Sequence, residues 1–218
     1  MQGQSPPASV FQRNILNLQE IGTRRRIYTP MNVYDFDKTI YRGDSTMQFI
    51  FHLLRRQPAL LIHVPAFTVN ALMFVTGKRK KQDFKERMFR AFFGHARDIY
   101  GELDLFWEKN MGRVFKWYGE KQKSDDVVIS ASPVEIVRPC CEKLGIKYIM
   151  GSPVDMKTGV YTGPNCHGEE KVVRFNASFP GAEIDEFYSD SHSDDPMARI
   201  ARKSYMVKGE TLTEWSFQ

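Results

Sequence analysis

Two aspartates, Asp35 and Asp37, stand one residue apart directly after the apolar residues Val33 and Tyr34. Such an apolar run predicts a buried strand that ends at Asp35, because two unpaired acids are unfavourable inside a sheet. Both carboxylates would then project from the carboxyl end of the strand, where open α/β sheets bind ligands. There they can bind Mg²⁺, or one can attack a phosphoryl group while the other transfers a proton. The alternative is a solvated Asx turn at the end of a strand, which is a common structure.

Polar side chains also follow two later apolar runs. Ser130 ends one of them, and Asp190 ends another, with Asp194 four residues further on and Lys171 between the two runs. In a parallel sheet these strand ends lie at one edge, so we expect the side chains to converge on the aspartate pair. Each has a simpler explanation by itself: Ser130 can satisfy backbone groups, Lys171 can be solvated, and Asp194 can cap a helix. Their occurrence together, in this order, favours one site.

The elements that must position these residues follow an α/β pattern. After Asp126, short apolar runs alternate with helical segments, which predicts a doubly wound parallel, Rossmann-like sheet. Ser132 is expected to cap a helix that has Pro133 at its first position. The turn residues 157–159 predict a hairpin, and Tyr205–Val207 is expected to be the last strand.

The segment from Met47 to Tyr118 has a helical pattern almost throughout and contains no strand-like alternation. It predicts an all-helical module, with a helix near 82–93 and another near 96–117, inserted after the first strand as a lid over the aspartates. We therefore expect a helical cap over 46–118 and a core formed by 31–45 and 119–218. Residues 1–30, with a short helix over Val10–Ile21, are expected to form a loosely ordered extension.

The stretch Ala59–Val75 is almost continuously apolar but short for a membrane span, and it contains His63, Pro65 and Asn70. A buried pair of cap helices is the favoured interpretation. The alternative is an apolar surface that enters a membrane interface, helped by the basic residues on both sides of the stretch.

Composition limits the function classes. The chain has 218 residues, 42% of them hydrophobic, which is enough for one core and a smaller module. A net charge of +5 suits an anionic substrate or an anionic membrane surface, but it is not by itself a nucleic-acid signature. The three cysteines have no metal-type spacing, and no secretory signal opens the chain. We expect a cytoplasmic protein without zinc or disulfides, in peripheral contact at most with the inner face of a membrane.

Four segments together resemble the haloacid dehalogenase superfamily, in its phosphoserine-phosphatase-like branch with a helical cap. They are Asp35-Phe36-Asp37-Lys38-Thr39, Ile129-Ser130-Ala131-Ser132-Pro133, Gly168-Glu169-Glu170-Lys171-Val172 and Tyr188-Ser189-Asp190-Ser191-His192-Ser193-Asp194. They occur in the order and spacing of that family and span Met31 to about Gly209.

The resemblance implies a division of roles at the aspartate pair. Asp35 would be the nucleophile that forms an aspartyl-phosphate, and Asp37 would protonate the leaving group and then activate water. A dehalogenase needs no second acid, so Asp37 favours a phosphatase. The Mg²⁺ ligands would be Asp35, Asp190 and the backbone carbonyl of Asp37.

The remaining motif residues would have accessory roles. The resemblance implies that Ser130, Ala131 and Lys171 hold the phosphoryl oxygens. Thr39 and Asp194 would support the site.

Two features of the sequence bear on the substrate. Asp44 stands nine residues after Asp35, where phosphoserine phosphatases have an acid that contacts their substrate. The cap arginine of those enzymes is replaced here by Ala91, with Arg87 and Arg90 nearby but out of register.

The cap also resembles that of the phosphatidylglycerophosphatase C family. The resemblance rests on Leu54-Arg55-Arg56-Gln57-Pro58, the apolar run that follows it and Phe93-Gly94-His95. The segments Ser132-Pro133, Cys166-His167-Gly168 and Gly209-Glu210 also fit. It implies a phospholipid headgroup or a glycerol-type phosphate as the substrate. The alternatives are a phosphoserine or other small-metabolite phosphatase, and a non-catalytic module that binds a phosphate ligand or a membrane.

Overall fold

The protein is described by a computed structural model that covers residues 29–217. The expected N-terminal extension and its helix over 10–21 lie almost wholly outside these residues. The strands are β1 (Met31–Tyr34), β2 (Val127–Pro133), β3 (Tyr148–Ser152), β4 (Val154–Asp155), β5 (Val160–Tyr161), β6 (Ile184–Ser189), β7 (Ala201–Lys208) and β8 (Thr211–Glu214).

Helices cover one continuous segment between β1 and β2 and then alternate with the later strands. The α-helices are α1 (Ser45–Arg56), α2 (Val64–Val75), α3 (Lys81–Phe92), α4 (Ile99–Asn110), α5 (Lys116–Lys121), α6 (Val134–Lys143), α7 (Glu169–Ser178) and α8 (Asp195–Ile200). Short 3₁₀ turns cover Pro58–His63, Met111–Arg113 and His192–Asp194. We call the segment 45–121, which contains α1 to α5, the helical insertion.

The main sheet has six strands in the order β3-β2-β1-β6-β7-β8, and its first five strands are parallel. β1 lies between β2 and β6, and all four of its residues are buried, including the polar Asn32. The predicted doubly wound α/β fold is therefore confirmed. The strand predicted over Tyr205–Val207 was too short, because pairing with β6 extends β7 back to Ala201. It was also not the last strand, because the chain turns at Gly209 and adds β8 as an antiparallel edge strand.

Two predicted element boundaries were wrong for tertiary reasons. The helix expected near 96–117 is divided into α4 and α5, because the chain between them is drawn into contact with the loop after β1. There Val114 forms an antiparallel bridge with Tyr41, and the Phe115 N–H donates to the Ile40 carbonyl at 2.9 Å. Ser132 does not cap α6, since the chain stays extended through Pro133, where β2 pairs with Ser152 of β3.

The helical insertion is joined to the core through buried contacts. The indole N–H of Trp107 in α4 donates to the carbonyl of Ile136 in α6 at 2.7 Å, and Trp107 is fully buried. The carboxyl-terminal end of α3 lies against the β4–β5 turn at Gly159, where an added Cβ would lie 2.3 Å from the Arg90 nitrogen. Glycine is required at this turn, because its φ of +71° is also left-handed. The contact at Gly159 fixes the carboxyl-terminal end of α3 beside the β4–β5 turn.

Candidate active site

Lys171 forms the centre of a buried ion network at the edge of the sheet. Its ammonium donates to Asp35 Oδ1 at 2.7 Å and to Asp194 Oδ2 at 2.7 Å, and the lysine is only 1% exposed. Asp194 also accepts from the Ser189 hydroxyl at 2.7 Å. Burial alone would lower the pKa of Lys171, but the charges of Asp35 and Asp194 outweigh it and raise that pKa. The lysine is therefore fixed and charged beside Asp35.

Asp37 is held by the start of the helical insertion and by β2. Its Oδ1 accepts from the Ser45 N–H at 2.7 Å, at the amino-terminal end of α1, and its Oδ2 accepts from the Ser132 hydroxyl. Ser132 in turn accepts from the Thr46 hydroxyl at 3.0 Å. The carboxylate thus lies at a helix N-terminus, where the dipole favours negative charge. Asp44 caps the same helix, since its Oδ1 accepts from the Met47 N–H at 2.9 Å.

A tight loop after β1 turns Asp37 towards these partners. The Phe36 carbonyl accepts N–H groups from Thr39, Ile40 and Tyr41 at 3.2, 2.9 and 3.0 Å. Lys38 takes a left-handed conformation with φ of 58°, which lets the chain reverse. Thr39 lies fully buried under this loop, and among the described residues its hydroxyl has no hydrogen-bond partner.

Ser130 and Ala131 lie at the end of β2 beside the aspartates. Ser130 is 1% exposed, and its hydroxyl oxygen accepts the Ser132 N–H at 3.1 Å. The Ala131 carbonyl accepts from the Ser152 hydroxyl and from the Lys85 ammonium of α3, both at 2.9 Å. Lys85 therefore ties the helical insertion to the strand end that carries Ser130.

These groups line one cavity of about 220 Å³. Of the residues predicted from sequence it brings together Asp35, Asp37, Asp44, Ser130, Ala131, Lys171, Asp190 and Asp194. Lys81, Lys85 and His167 also line it, and sequence analysis assigned them no role. Arg87 and Arg90 instead line a separate groove of about 520 Å³ between α2 and α3.

Burial makes ionisation of the carboxyl groups in this cavity unfavourable. Burial raises the pKa of Asp35, although the charge of Lys171 opposes the shift. Burial also raises the pKa of Asp37, with the charge of Asp44 adding to it and the hydrogen bonds from Ser132 and Ser45 opposing it. The pKa of Asp190 is raised for the same main reason. An elevated pKa suits Asp37 to holding a proton near neutral pH.

The donor set fits Mg²⁺. Asp35 and Asp190 line the same cavity and offer only oxygen ligands, the type that Mg²⁺ prefers. Within residues 29–217 no group of three or more His, Cys, Asp or Glu side chains is arranged as a metal site. The ligand set that the resemblance implies is smaller, since it needs only two carboxylates and a backbone carbonyl. A bound cation would offset the burial of two negative charges.

A family model of haloacid dehalogenase-like hydrolases matches residues 33–199. The chain belongs to this family. The match includes every motif on which the superfamily resemblance rested, so that resemblance is confirmed. No curated protein matches this hydrolase significantly in sequence.

Solved structures similar to this hydrolase include three bacterial proteins. A protein of unknown function from Bordetella pertussis Tohama I has a TM-score of 0.68 at 18% identity, covering 82% of this chain and 89% of its own. A probable phosphoserine phosphatase from Vibrio cholerae has a TM-score of 0.62 at 12% identity, covering 92% of this chain and 64% of its own. A phosphoserine phosphohydrolase-like protein from Francisella tularensis subsp. tularensis SCHU S4 has a TM-score of 0.52 at 14% identity, covering 81% of this chain and 86% of its own. At these identities the similarity concerns the fold.

Sequence reasoning missed several groups of this hydrolase's site for identifiable reasons. Ser132 was interpreted as a helix cap, although its position two residues after Ser130 also allowed a place in the site. Lys81 belongs to a basic run that is indistinguishable from a solvated face. Lys81 stands directly before the helix predicted near 82–93 and four residues before Lys85, and this spacing was the available signal that the two lysines share a face.

Proposed function

We propose that this protein is a Mg²⁺-dependent phosphomonoester hydrolase that acts through an aspartyl-phosphate. The observation that carries the proposal is that Asp35 and Asp37 share one cavity with different partners. Asp35 is paired with a charged lysine, whose charge opposes the rise in pKa that burial of this carboxyl group causes. Burial and the charge of Asp44 raise the pKa of Asp37, while the Ser132 hydroxyl and the Ser45 N–H hold its carboxyl group in place, so Asp37 is suited to transferring a proton near neutral pH.

In the first half of the reaction, an oxygen of Asp35 forms a bond to phosphorus while the phosphorus–oxygen bond of the ester breaks. Asp37 gives its proton to the departing alkoxide. Lys171, Ser130 and the backbone of Ala131 hold the phosphoryl oxygens and offset their charge. In the second half, Asp37 accepts a proton from water as the water oxygen attacks phosphorus. The bond to Asp35 then breaks and phosphate leaves.

Mg²⁺, held by Asp35, Asp190 and the Asp37 carbonyl, would reduce the repulsion between a carboxylate and an anionic phosphoryl group. The dependence on metal and on Asp35 tests the proposal. Hydrolysis of p-nitrophenyl phosphate is expected with Mg²⁺ and not with EDTA, and Asp35→Asn should lose at least about a thousandfold in kcat. Asp104→Asn, a matched change of an exposed acid in α4, should keep wild-type activity.

Trapping of the intermediate is the sharper test. Acid quenching of a reaction with ³²P-labelled substrate should leave label on the wild-type protein that hydroxylamine removes. The same label should be absent from Asp35→Asn. Metal-dependent turnover without any labelled protein would overturn the aspartyl-phosphate, and a folded protein without turnover on any phosphoester would favour a non-catalytic phosphate-binding module.

The substrate class proposed is a phospholipid headgroup or a glycerol-type phosphate at a membrane surface. Its support is the segment Pro58–Val75, in which only Leu60 and Asn70 are buried. Among the described residues, this segment is long enough and apolar enough to cross a membrane, judged by length and composition only. The expectation of buried cap helices was therefore wrong for this stretch.

The exposed side chains of this segment are large. They are Leu61, Ile62, Val69, Leu72 and Val75, which are 53%, 79%, 59%, 63% and 81% exposed. Arg55 and Arg56 precede the segment and Lys78 and Lys80 follow it, all exposed. An apolar face with cations at both ends matches the requirements of an anionic membrane interface. The active-site cavity is small, so acyl chains would stay outside it.

Liposome flotation tests the membrane contact. We expect the protein to float with vesicles that contain phosphatidylglycerol and less with neutral phosphatidylcholine vesicles. Val69→Asp should weaken flotation, whereas Val173→Asp in α7, which is equally exposed at 59%, should not. Equal flotation of both variants would remove the interfacial role and favour a soluble phosphoserine or small-metabolite substrate.

A further inference from the structure

Two lysines of the helical insertion face the catalytic cavity from the side opposite the sheet. Lys81 and Lys85 are four residues apart in α3, so they share one face of the helix. Both line the cavity that contains Asp35 and Asp37. Their side chains therefore meet whatever part of a substrate extends from the transferred phosphoryl group towards the insertion.

These lysines differ from Lys171 in their partners. Lys171 is neutralised by two carboxylates, whereas Lys85 donates to the Ala131 carbonyl, and Lys81 lies 2.9 Å from His167 Nε2. In the part of the chain that the structure describes, neither Lys81 nor Lys85 forms an ion pair with a carboxylate. Burial and the charge of Lys81 lower the pKa of His167, so the imidazole is the acceptor in that contact and adds no positive charge.

A half-buried lysine without a carboxylate partner is electrostatically unfavourable. Burial, with the charge of Lys81 adding to it, lowers the pKa of Lys85 to about 8. Asp44 opposes this shift, but its carboxylate is engaged in capping α1. An anion bound between Lys85 and the exposed Lys81 would supply the counter-charge that Lys85 lacks.

We propose that Lys81 and Lys85 form a second anion-binding site, so that the substrate is a phosphomonoester whose alcohol part carries an additional phosphate or carboxylate group. This inference rests on the proposed function of Asp35 and Asp37. The transferred phosphoryl group already has Ser130, Ala131 and Lys171 as partners. Two further cations side by side on another element can hold a separate oxyanion. The cavity volume of about 220 Å³ restricts this alcohol part to a short chain.

Matched substrates measure the second site directly. Propane-1,3-diol bisphosphate and its monophosphate share one carbon chain and differ only in the second anion. We expect kcat/KM to favour the bisphosphate by about 10- to 100-fold, the value of one charge-assisted hydrogen bond, and Lys81→Gln/Lys85→Gln to reduce that preference to near one. Lys85→Arg should retain most of the preference. Lys143→Gln/Lys147→Gln, an equal charge change at exposed positions, should retain all of it.

The nature of the anion is tested with phosphoglycolate against ethylene glycol monophosphate. A lysine-dependent preference for phosphoglycolate alone identifies a carboxylate site, and one for the bisphosphate alone identifies a phosphate site. If the wild-type enzyme shows a ratio of kcat/KM values near one within both substrate pairs, the proposal is overturned. An equal loss for all four substrates in Lys81→Gln/Lys85→Gln also overturns it, because the lysines would then serve the transferred phosphoryl group.

Binding separates this proposal from the proposed function. In an Asp35→Asn background, calorimetry should show tighter binding of the bisphosphate than of the monophosphate, and the difference should disappear when both lysines are changed to glutamine. That result without turnover in the wild type supports the anion site and rejects the phosphatase. Turnover together with equal binding of both ligands supports the phosphatase and rejects the anion site.

Discussion

The two sides of the candidate active-site cavity differ in how the charges of their lysines are balanced. We call the side at the edge of the sheet, with Lys171, the floor, and the side formed by the helical insertion, with Lys81 and Lys85, the roof. At the edge of the sheet, Lys171 is 1% exposed and lies between two carboxylates, so its charge is matched within the protein. In the helical insertion, Lys81 and Lys85 contact an imidazole and a carbonyl. If the proposed function and the second anion site are right, the charge of Lys171 is balanced before substrate arrives, whereas the charge of Lys85 is balanced by the substrate. The proposals thus place chemistry and substrate selection in different parts of the fold.

The largest expected effect concerns the floor. Lys171→Met leaves Asp35 and Asp194 buried without a counter-charge, so the free energy of unfolding should fall by about 3–5 kcal/mol. Lys85→Met removes a hydrogen bond to one carbonyl and should cost at most about 1.5 kcal/mol. Urea denaturation in buffer with EDTA measures both. Similar costs for the two variants would break the contrast between floor and roof.

The next effect separates the inner and outer sides of the insertion. Leu60 is 3% exposed and its neighbour Leu61 is 53% exposed. Leu60→Ala should lower the free energy of unfolding by about 2–5 kcal/mol, because it leaves a cavity in the core. Leu61→Ala should change it by less than about 0.5 kcal/mol, since its side chain already meets solvent. A large cost at Leu61 would show that this face is packed against something in solution.

A smaller effect is expected where floor and roof meet. Ser132→Ala removes the hydroxyl that donates to Asp37 and leaves the proton donor less well oriented. We expect kcat for p-nitrophenyl phosphate to fall by about 10- to 100-fold, as for loss of one hydrogen bond to a charged group, with KM nearly unchanged. Ser178→Ala, at the exposed end of α7, is the control. A change in KM alone would assign Ser132 to substrate binding.

The smallest effect concerns pH. The pKa of Lys85 is lowered to about 8, so its charge is present below pH 8 and is lost as the pH rises through that value. KM for propane-1,3-diol bisphosphate should therefore rise several-fold between pH 7 and 9, where the phosphates, with a second pKa near 6, no longer titrate. KM for the monophosphate should stay level. The charged groups that face Lys85 are Lys81, Asp44, Asp37 and Asp35.

The arginine variant is the control for this prediction. Arginine stays charged throughout this range, so Lys85→Arg should abolish the rise in KM. A rise that persists in Lys85→Arg would have to come from another titrating group in the cavity.

The sequence predicted the floor better than the roof, for a physical reason. Asp35, Ser130 and Asp190 each follow an apolar strand, and parallel strands bring their carboxyl ends together whatever the loops do. The position of Lys85 depends instead on how α3 lies over the sheet, which is decided by tertiary contacts such as the one at Gly159. Ser132 was assigned to the wrong element because the pairing of Pro133 with Ser152 extends β2 further than local propensity indicates.

The contact at Gly159 has a consequence for motion. The backbone of Gly159 lies directly against the backbone of Phe89 and Arg90, so no side-chain rotamer can change to relieve a clash. The carboxyl-terminal end of α3 therefore cannot slide over the β4–β5 turn without separating from it. Widening the cavity for an incoming substrate therefore falls to the amino-terminal half of α3. That half carries both Lys81 and Lys85. Admission of the substrate and capture of its second charge would then be a single movement of one half-helix.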